Sequence, residues 1–551
     1  MTESAYPGLS LVVDGRAVDV PDDGGSLLDV LREGLGLRTL KDGCSPQGQC
    51  GCCTVLVDGQ PRVACVTPAR RVHGRSITTV EGLDPAERQA WGEAFCATGG
   101  SQCGFCTPGI VMRLSALRAR GVAMDDHAAV EQALLAHLCR CTGWRTILDA
   151  WSLQGEPCRS SAVTRDLAAA ARRAAIEGRT PQRVDPDVPL GQGGFADDTA
   201  PAGALVAVPD GSGGWAVGES PAEARTAARK VQGRRTTAEL RHPLDLPPGA
   251  WDVTLRTTWV EPAYLELDAS WCAPGGEPAS PLANGGAFGG KAASVVTSAA
   301  RELADCHGRP VRVLLAREDA VRLGAKRPPI AAGVRADGTG VVRVARTPGV
   351  ADAIARVAPG LAIEEVDVAG PPTSTAPRAA GWAEALAVLA GATVVGSAGG
   401  YRTLAASGPG VVSVETGGGR AVVAVRSPDG AEARARVTLG VDPGLRVAVS
   451  CGDPLDDVVL RSYCVGAAHM ALGWVCSEGL AVDEAGEVHD LTIRSFGVLR
   501  ALDTPPIGVE IEASDGPPVN GSDAVFAAVA AAAWLAQGFP PAWPTGLRLR
   551  S

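Results

Sequence analysis

Several things are missing from this 551-residue chain, and each absence removes a class of protein. It holds no apolar run long enough to cross a bilayer: the longest, Ala524 to Ala536, spans 13 residues, is rich in alanine and predicts a packed helix. It has no basic stripe, and with a net charge of −10 and a pI near 5.4 neither nucleic acid nor an anionic membrane is expected as a partner. No glycine-rich strand-to-helix fingerprint for a dinucleotide occurs. No secretory leader precedes the first motifs, so a reducing cytoplasm is the expected setting and disulfides are not. What remains, 46% apolar and 20% charged residues, describes two to four ordinary globular domains.

The chain is not short of cysteine. Ten of its 16 cysteines fall in the first 150 residues, eight of them in two groups of four. Cys44, Cys50, Cys53 and Cys65 read C-x5-C-x2-C-x11-C, close to the spacing that wraps a [2Fe–2S] cluster. Gly43, Gly48 and Gly51 let such a loop curl, and Thr54–Val57, Asp58-Gly59 and Gln60–Val63 predict a hairpin that carries Cys65 back to it. Cys52 lies between two proposed ligands and is an alternative to Cys50 or Cys53. Cys103, Cys106, Cys139 and Cys141 form a C-x2-C…C-x-C set among helical patterns: a start at Asp84-Pro85-Ala86-Glu87, a helix capped by Thr107 with Val111, Leu114 and Leu117, a segment capped by Asp125 leading through Val130, Leu134, Leu135 and Leu138 to Cys139, and a fourth helix around Ile147, Leu148 and Trp151. Two cysteine pairs between helices suit a second cluster, and equally a structural zinc.

Lys41-Asp42-Gly43-Cys44, Cys50-Gly51-Cys52-Cys53-Thr54-Val55, Gln102-Cys103-Gly104-Phe105-Cys106-Thr107-Pro108-Gly109 and Cys139-Arg140-Cys141-Thr142-Gly143 resemble the iron–sulfur region of molybdenum hydroxylases, the xanthine dehydrogenase and carbon monoxide dehydrogenase group. The resemblance covers nearly all of residues 1–155. It implies an α+β multidomain chain: a β-grasp [2Fe–2S] ferredoxin domain over 1–82, then a four-helix [2Fe–2S] domain over 83–158. It also implies a route for electrons from a molybdenum–pterin centre through the helical-domain cluster and the ferredoxin cluster to FAD, with Gln102 on the path toward the pterin.

Residues 159–205 have little periodicity and read as a linker. Beyond it, Gly218-Glu219-Ser220-Pro221-Ala222-Glu223 predicts a capped helix, and 206–551 an α+β region whose pieces resemble the family's molybdopterin-binding large subunit. These are the loop Gly285-Gly286-Ala287-Phe288-Gly289-Gly290-Lys291, Glu261-Pro262-Ala263-Tyr264-Leu265-Glu266, Arg378-Ala379-Ala380-Gly381, and the runs Gly466–Gly473 and Asp503–Ile507. The resemblance marks Gly285, Gly286, Phe288, Gly289, Gly290 and Arg378 as relics of a pterin site. Departures from the pattern are equally informative. The region has only about 350 residues, far fewer than the family's large subunit; the loop's third glycine is Ala287; and Val437–Gly444 shows no motif where a second pterin contact belongs. In Asn520-Gly521-Ser522-Asp523, aligned through Phe526, the family's catalytic glutamate falls on Ser522, which lacks the basicity to take a proton unaided. Asp523 reads as an ordinary turn acid.

The expectation is an oxidoreductase subunit with no catalytic residue of its own, relaying electrons between a molybdenum-bearing catalytic subunit and an FAD-binding subunit, with the molybdenum–molybdopterin in the partner chain. The alternatives are a compact single-chain hydroxylase that uses Phe288, Arg378 and Asp523, and a zinc-stabilised scaffold. His469 reads as a core histidine, Glu266 as a structural residue, and Cys96, Cys158, Cys272, Cys306, Cys451, Cys464 and Cys476 as small buried side chains.

Overall fold

The computed structural model describes residues 8–154, 165–230, 233, 238–280, 286–292, 294–397, 401–403 (backbone only), 408–440, 443–512 and 514–550. Gly285 and Cys158, both singled out from the sequence, lie outside the described residues.

The N-terminal sheet has the order β2-β1-β5-β3-β4, from β1 (Gly8–Val13), β2 (Arg16–Pro21), β3 (Thr54–Val57), β4 (Gln60–Val63) and β5 (Ser76–Thr78). In β1 the alternating Leu9, Leu11 and Val13 face the core, as a half-buried strand requires. β5 runs parallel to β1, and the helical turn Asp29–Gly34 buries Val30 and Leu31 beneath the sheet, giving the β-grasp form. The expected hairpin joins β3 and β4, with Asp58 and Gly59 both at positive φ, as its two-residue turn demands.

Four helices follow: α1 (Pro85–Thr98), α2 (Thr107–Ala119), α3 (His127–Ala133) and α4 (Arg145–Leu153). Asp84 caps α1 by accepting from the amides of Ala86 and Glu87. Two expected caps shift by one residue. α2 begins at Thr107 itself, after Cys106, because the cysteine loop turns directly into the helix, and α3 is capped by Asp126 rather than Asp125. Trp91 stacks on Trp151 with ring centroids 6.3 Å apart, tying α1 to α4.

Within the segment read as a linker, the described residues 165–205 are folded. α5 (Leu167–Gly178) starts on an Asp166 cap and buries Arg173 and Glu177 completely, pinning the segment to the C-terminal half. Its alternating charges had disguised an inward-facing ion pair.

The C-terminal half contains α6 (Pro221–Ala227), α7 (Val296–His307), α8 (Arg317–Leu323), α9 (Val350–Ala355), α10 (Trp382–Val395), α11 (Asp457–Cys476) and α12 (Ser522–Ala536). α6 has the predicted cap, Ser220 accepting from the Glu223 amide. Two four-stranded sheets and a six-stranded one, the last running from Tyr401–Thr403 to Ile507–Ile511, complete it. α12 lies wholly buried between α11, α10 and the six-stranded sheet. α11 is longer than the sequence reading allowed: an 18-residue window of its 20 residues has a mean hydropathy of 1.3, enough by length and composition to cross a membrane, yet 89% of that window is buried inside the fold. It is the central core helix. Cys306 is also exposed, against expectation, because it lies on the outer face of α7.

Candidate iron–sulfur centres and a filled pterin site

The first cysteine loop leaves the helical turn at Leu35 and closes on the β3–β4 hairpin. Its thiols meet in a chain of contacts, Cys50 to Cys44 to Cys65 to Cys53. Contacts with Cys50 and Cys65 pull the Cys44 thiol well below the usual cysteine range, while the same contacts push Cys50 and Cys65 up. Backbone amides point at the sulfurs: Gln47 N–H donates to Cys44 Sγ at 3.2 Å and Cys65 N–H to Cys53 Sγ at 3.4 Å. Such donors stabilise thiolate charge and set a cluster's potential. Cys52 meets this chain at Cys50 only, extending it by one thiol at the end opposite Cys53; a Cβ on Gly43 would lie 3.1 Å from Cys52 Sγ.

In the second set Cys106 meets Cys139, Cys139 meets Cys141, and Cys141 Sγ lies 3.8 Å from Cys103 Sγ. Thr142 Oγ1 is 3.2 Å from Cys139 Sγ. All eight sulfurs are buried, and none forms a disulfide. Among the described residues no three His, Cys, Asp or Glu side chains take up a geometry that would hold a single metal ion. Two strings of four buried thiols suit binuclear clusters. The two loops touch. Leu138 N–H donates to Cys50 C=O at 3.0 Å, so the residue before one proposed ligand is bonded to another proposed ligand.

The C-terminal half clamps both loops. Arg140, between two cysteines, makes a bidentate pair with Glu478 at 2.6 and 2.5 Å and donates to Pro262 C=O. Arg317 donates to Gly43 C=O at 2.7 Å, and Arg494 to the carbonyls of Gln49 and Leu135. Gln47 reaches Glu318 and Leu491. α11 comes so close that a Cβ on Gly466 would sit 1.7 Å from Cys141 O.

The residues that the resemblance assigns to a pterin site gather on the second cysteine set, and the described ones enclose no large cavity. Gly286 lies against Arg140 and Cys141, its absent Cβ 3.4 Å from Cys141 Sγ. Gly289 and Gly290 press on Ala376 C=O and Pro262. Phe288 packs edge-on to Tyr463, and the Arg378 guanidinium stacks 4.0 Å above its ring. Lys291 pairs with Glu266 at 3.2 Å; burial pushes the Glu266 carboxyl up to about 8, opposed by that lysine. The cavity beside Gln102 measures about 20 Å³, and the one lined by Ala287, Arg378 and Trp474 about 30 Å³. A cofactor pocket occupies roughly 300 Å³ or more. Gln102 Nε2 is taken by Cys141 C=O and Ser462 Oγ, both at 3.0 Å, leaving Oε1 buried without a partner. These residues do not fit a pterin. Ser522 is fully buried, hydrogen bonded to Arg378, and its amide donates to Glu177 of α5 at 2.9 Å. Asp523 pairs with Arg179 and faces Arg378 at 3.6 Å, a structural acid at the start of α12.

Sequence reasoning missed Glu177, Glu478, Arg317 and the Leu138–Cys50 bond. Only Arg140 hinted at such contacts, as a charge enclosed between two cysteines.

A β-grasp domain and a four-helix domain, each presenting four buried cysteines, define a class: electron-transfer proteins with paired [2Fe–2S] domains. Residues 11–72 match the family described as "2Fe-2S iron-sulfur cluster binding domain" and residues 79–152 the one described as "[2Fe-2S] binding domain". A "Probable xanthine dehydrogenase" subunit of Bacillus subtilis is 42% identical over 122 residues, 22% of this chain and 69% of that protein. The "Xanthine dehydrogenase" of Blastobotrys adeninivorans is 39% identical over 158 residues, 26% of this chain but only 11% of that protein. The solved "Aldehyde Oxidoreductase from Desulfovibrio gigas (MOP)" superposes with a TM-score of 0.67 over 96% of this chain and 97% of that one, at 16% identity, so the fold extends through the C-terminal half. The chain belongs to the molybdenum hydroxylase family.

Proposed function

We infer that this chain is an iron–sulfur electron-transfer subunit of a molybdenum hydroxylase system, with its own pterin site closed. Cys44, Cys50, Cys53 and Cys65 hold one [2Fe–2S] cluster, and Cys103, Cys106, Cys139 and Cys141 the other; each cluster, when bound, carries one electron at a time. The chain's own residues do the rest. Gln47 and Cys65 amides and Thr142 steady the sulfurs, Arg140 and Arg317 lock the loops, and Leu138 links them. The molybdenum–molybdopterin belongs to a partner subunit and the FAD to another, in the cytoplasm. Domains run 1–82, 83–158 and 206–551, and within 159–205 the described residues from 165 on act as a brace. The observation that carries this reading is the contrast between two complete thiol sets and a cavity of about 20 Å³ at Gln102.

Metal, sulfide and flavin analysis of the purified full chain tests it. Iron and sulfide without molybdenum or flavin is the expected result. Stoichiometric molybdenum with substrate-dependent dye reduction would establish a compact hydroxylase instead.

A further inference from the structure

The C-terminal tail folds back along the end of α11, with Thr545 and Gly546 amides donating to the carbonyls of Val475 and Cys476. Between this tail and residues 494–503 lies a groove of about 1010 Å³. Its position is notable because Leu138 forms part of its wall, and Leu138 is the residue whose amide bonds Cys50 and which precedes Cys139. Arg494, also in the groove, holds the carbonyls of Gln49 and Leu135. The groove thus reaches the second cysteine loop directly, at Leu138, and the first only through hydrogen bonds made by Leu138 and Arg494.

The groove's charge opposes that of the chain. Four arginines, Arg494, Arg500, Arg548 and Arg550, line it against the single acid Asp503, in a protein of net charge −10. Arg500 is neutralised by Asp503 at 2.6 Å and Arg550 by Glu131 at 2.8 Å. Arg494 bonds only to uncharged carbonyl oxygens, and Arg548 is exposed and makes no hydrogen bond or ion pair among the described residues. Two guanidinium charges are thus uncompensated. Leu499, Leu502, Leu547 and Leu549 give the groove an apolar lining, and Leu240, 41% exposed, stands on its rim. The C-terminal half covers the loops at Arg140, Gly43 and Cys141, while Val66 beside Cys65 is 50% exposed.

We propose that this groove is the docking site for an electron-exchange partner protein that presents acidic side chains around an apolar knob. The proposal rests on the reading above that the clusters relay electrons. Opposite charge steers the partner in, the leucines bury its apolar centre, and the contact ends one residue from the bridge between the two cysteine loops. In each exchange a reduced cluster gives up one electron and the partner's redox group takes up one.

The test uses the full chain with both clusters reduced by dithionite and desalted, mixed in stopped flow with anionic ferricyanide or cationic hexaammineruthenium(III), each a one-electron oxidant. Wild type is compared with Arg548→Glu, Arg548→Gln and, as a control elsewhere on the surface, Arg70→Glu. The expected result is a ferricyanide rate that falls with added salt and drops about three- to tenfold in R548E, less in R548Q, while the ruthenium rate rises and R70E matches wild type. Poly-L-glutamate should slow ferricyanide oxidation of wild type and not of R548E. Equal rates in R548E and wild type, or the charge effect appearing in R70E, would overturn the proposal. Competition by FAD in place of poly-L-glutamate would also overturn it, marking a dinucleotide site. EPR of every sample separates the two levels of argument: missing cluster signals in wild type sink the relay itself, whereas intact signals with unchanged rates sink only the groove.

Discussion

Leu138 and Cys50 are joined by a backbone hydrogen bond of 3.0 Å, and through it the two cysteine loops, distant in sequence, become one structure. His137, just before, has φ −109° and ψ 157°, the extended geometry that precedes proline comfortably. Leu138→Pro removes the N–H and sets a ring carbon against Cys50 C=O, so the two loops move apart locally. It should cost about 2 kcal/mol in stability, from the lost bond and leucine packing, and slow electron equilibration between the clusters in rapid-mixing experiments. Iron content should stay at the wild-type value.

Cys52 touches the thiol chain only at its Cys50 end whereas Cys53 meets Cys65, and with Cys53 as the ligand a division between these neighbours is expected. Cys52→Ala should retain both clusters by iron and sulfide assay and by EPR. Cys53→Ala should lose the first cluster and keep the second. The reverse pattern would make Cys52 the ligand.

Gly466 is where α11 meets the second cysteine set. Gly466→Ala would place a methyl group 1.7 Å from Cys141 O and must displace backbone. Thermal or denaturant unfolding should show a loss of about 1–3 kcal/mol, with the EPR signal of the helical-domain cluster altered and that of the ferredoxin cluster unchanged.

Glu177 accepts the amides of Gly521 and Ser522 and pairs with Arg173, both side chains being fully buried. Glu177→Ala leaves that guanidinium without its counter-charge and the start of α12 without its acceptor. Stability should fall by about 3–5 kcal/mol in denaturant titration. Replacing Arg173 as well should recover part of it.

His469 is buried against Leu499 C=O, and burial, aided by Arg140, lowers it to about 4 from 6.5. Between those values the unfolded chain holds more protons than the folded one. The histidine's contribution is complete above about pH 6.5 and is lost as pH falls through 4, amounting to roughly 3 kcal/mol at most. His469→Gln should flatten the wild-type decline in denaturation midpoint across this window, measured with clusters in place.

The cysteine loops were legible in the sequence because their chemistry is local: thiolate spacing, a two-residue turn and helix caps act over a few residues. The hairpin, α1 and α6 appeared where their turn and cap residues placed them. What escaped is long-range. Arg140 and Glu478 are 338 residues apart, and nothing in either neighbourhood names the other. α5 was read as a linker because its buried Arg173 and Glu177 look like solvent-facing charges until their partners are known. The glycine loop was recognisable as a relic, but its closure depends on Phe288, Arg378 and Tyr463 converging from three parts of the chain.

The closed space beside Gln102 changes what the polypeptide needs in order to mature. A pocket shaped around a large organic molecule stays incomplete until that molecule arrives, and its stability then depends on supply. Under the proposed function the C-terminal half packs without such a molecule, the Arg378 guanidinium and the Tyr463 ring closing on Phe288 instead.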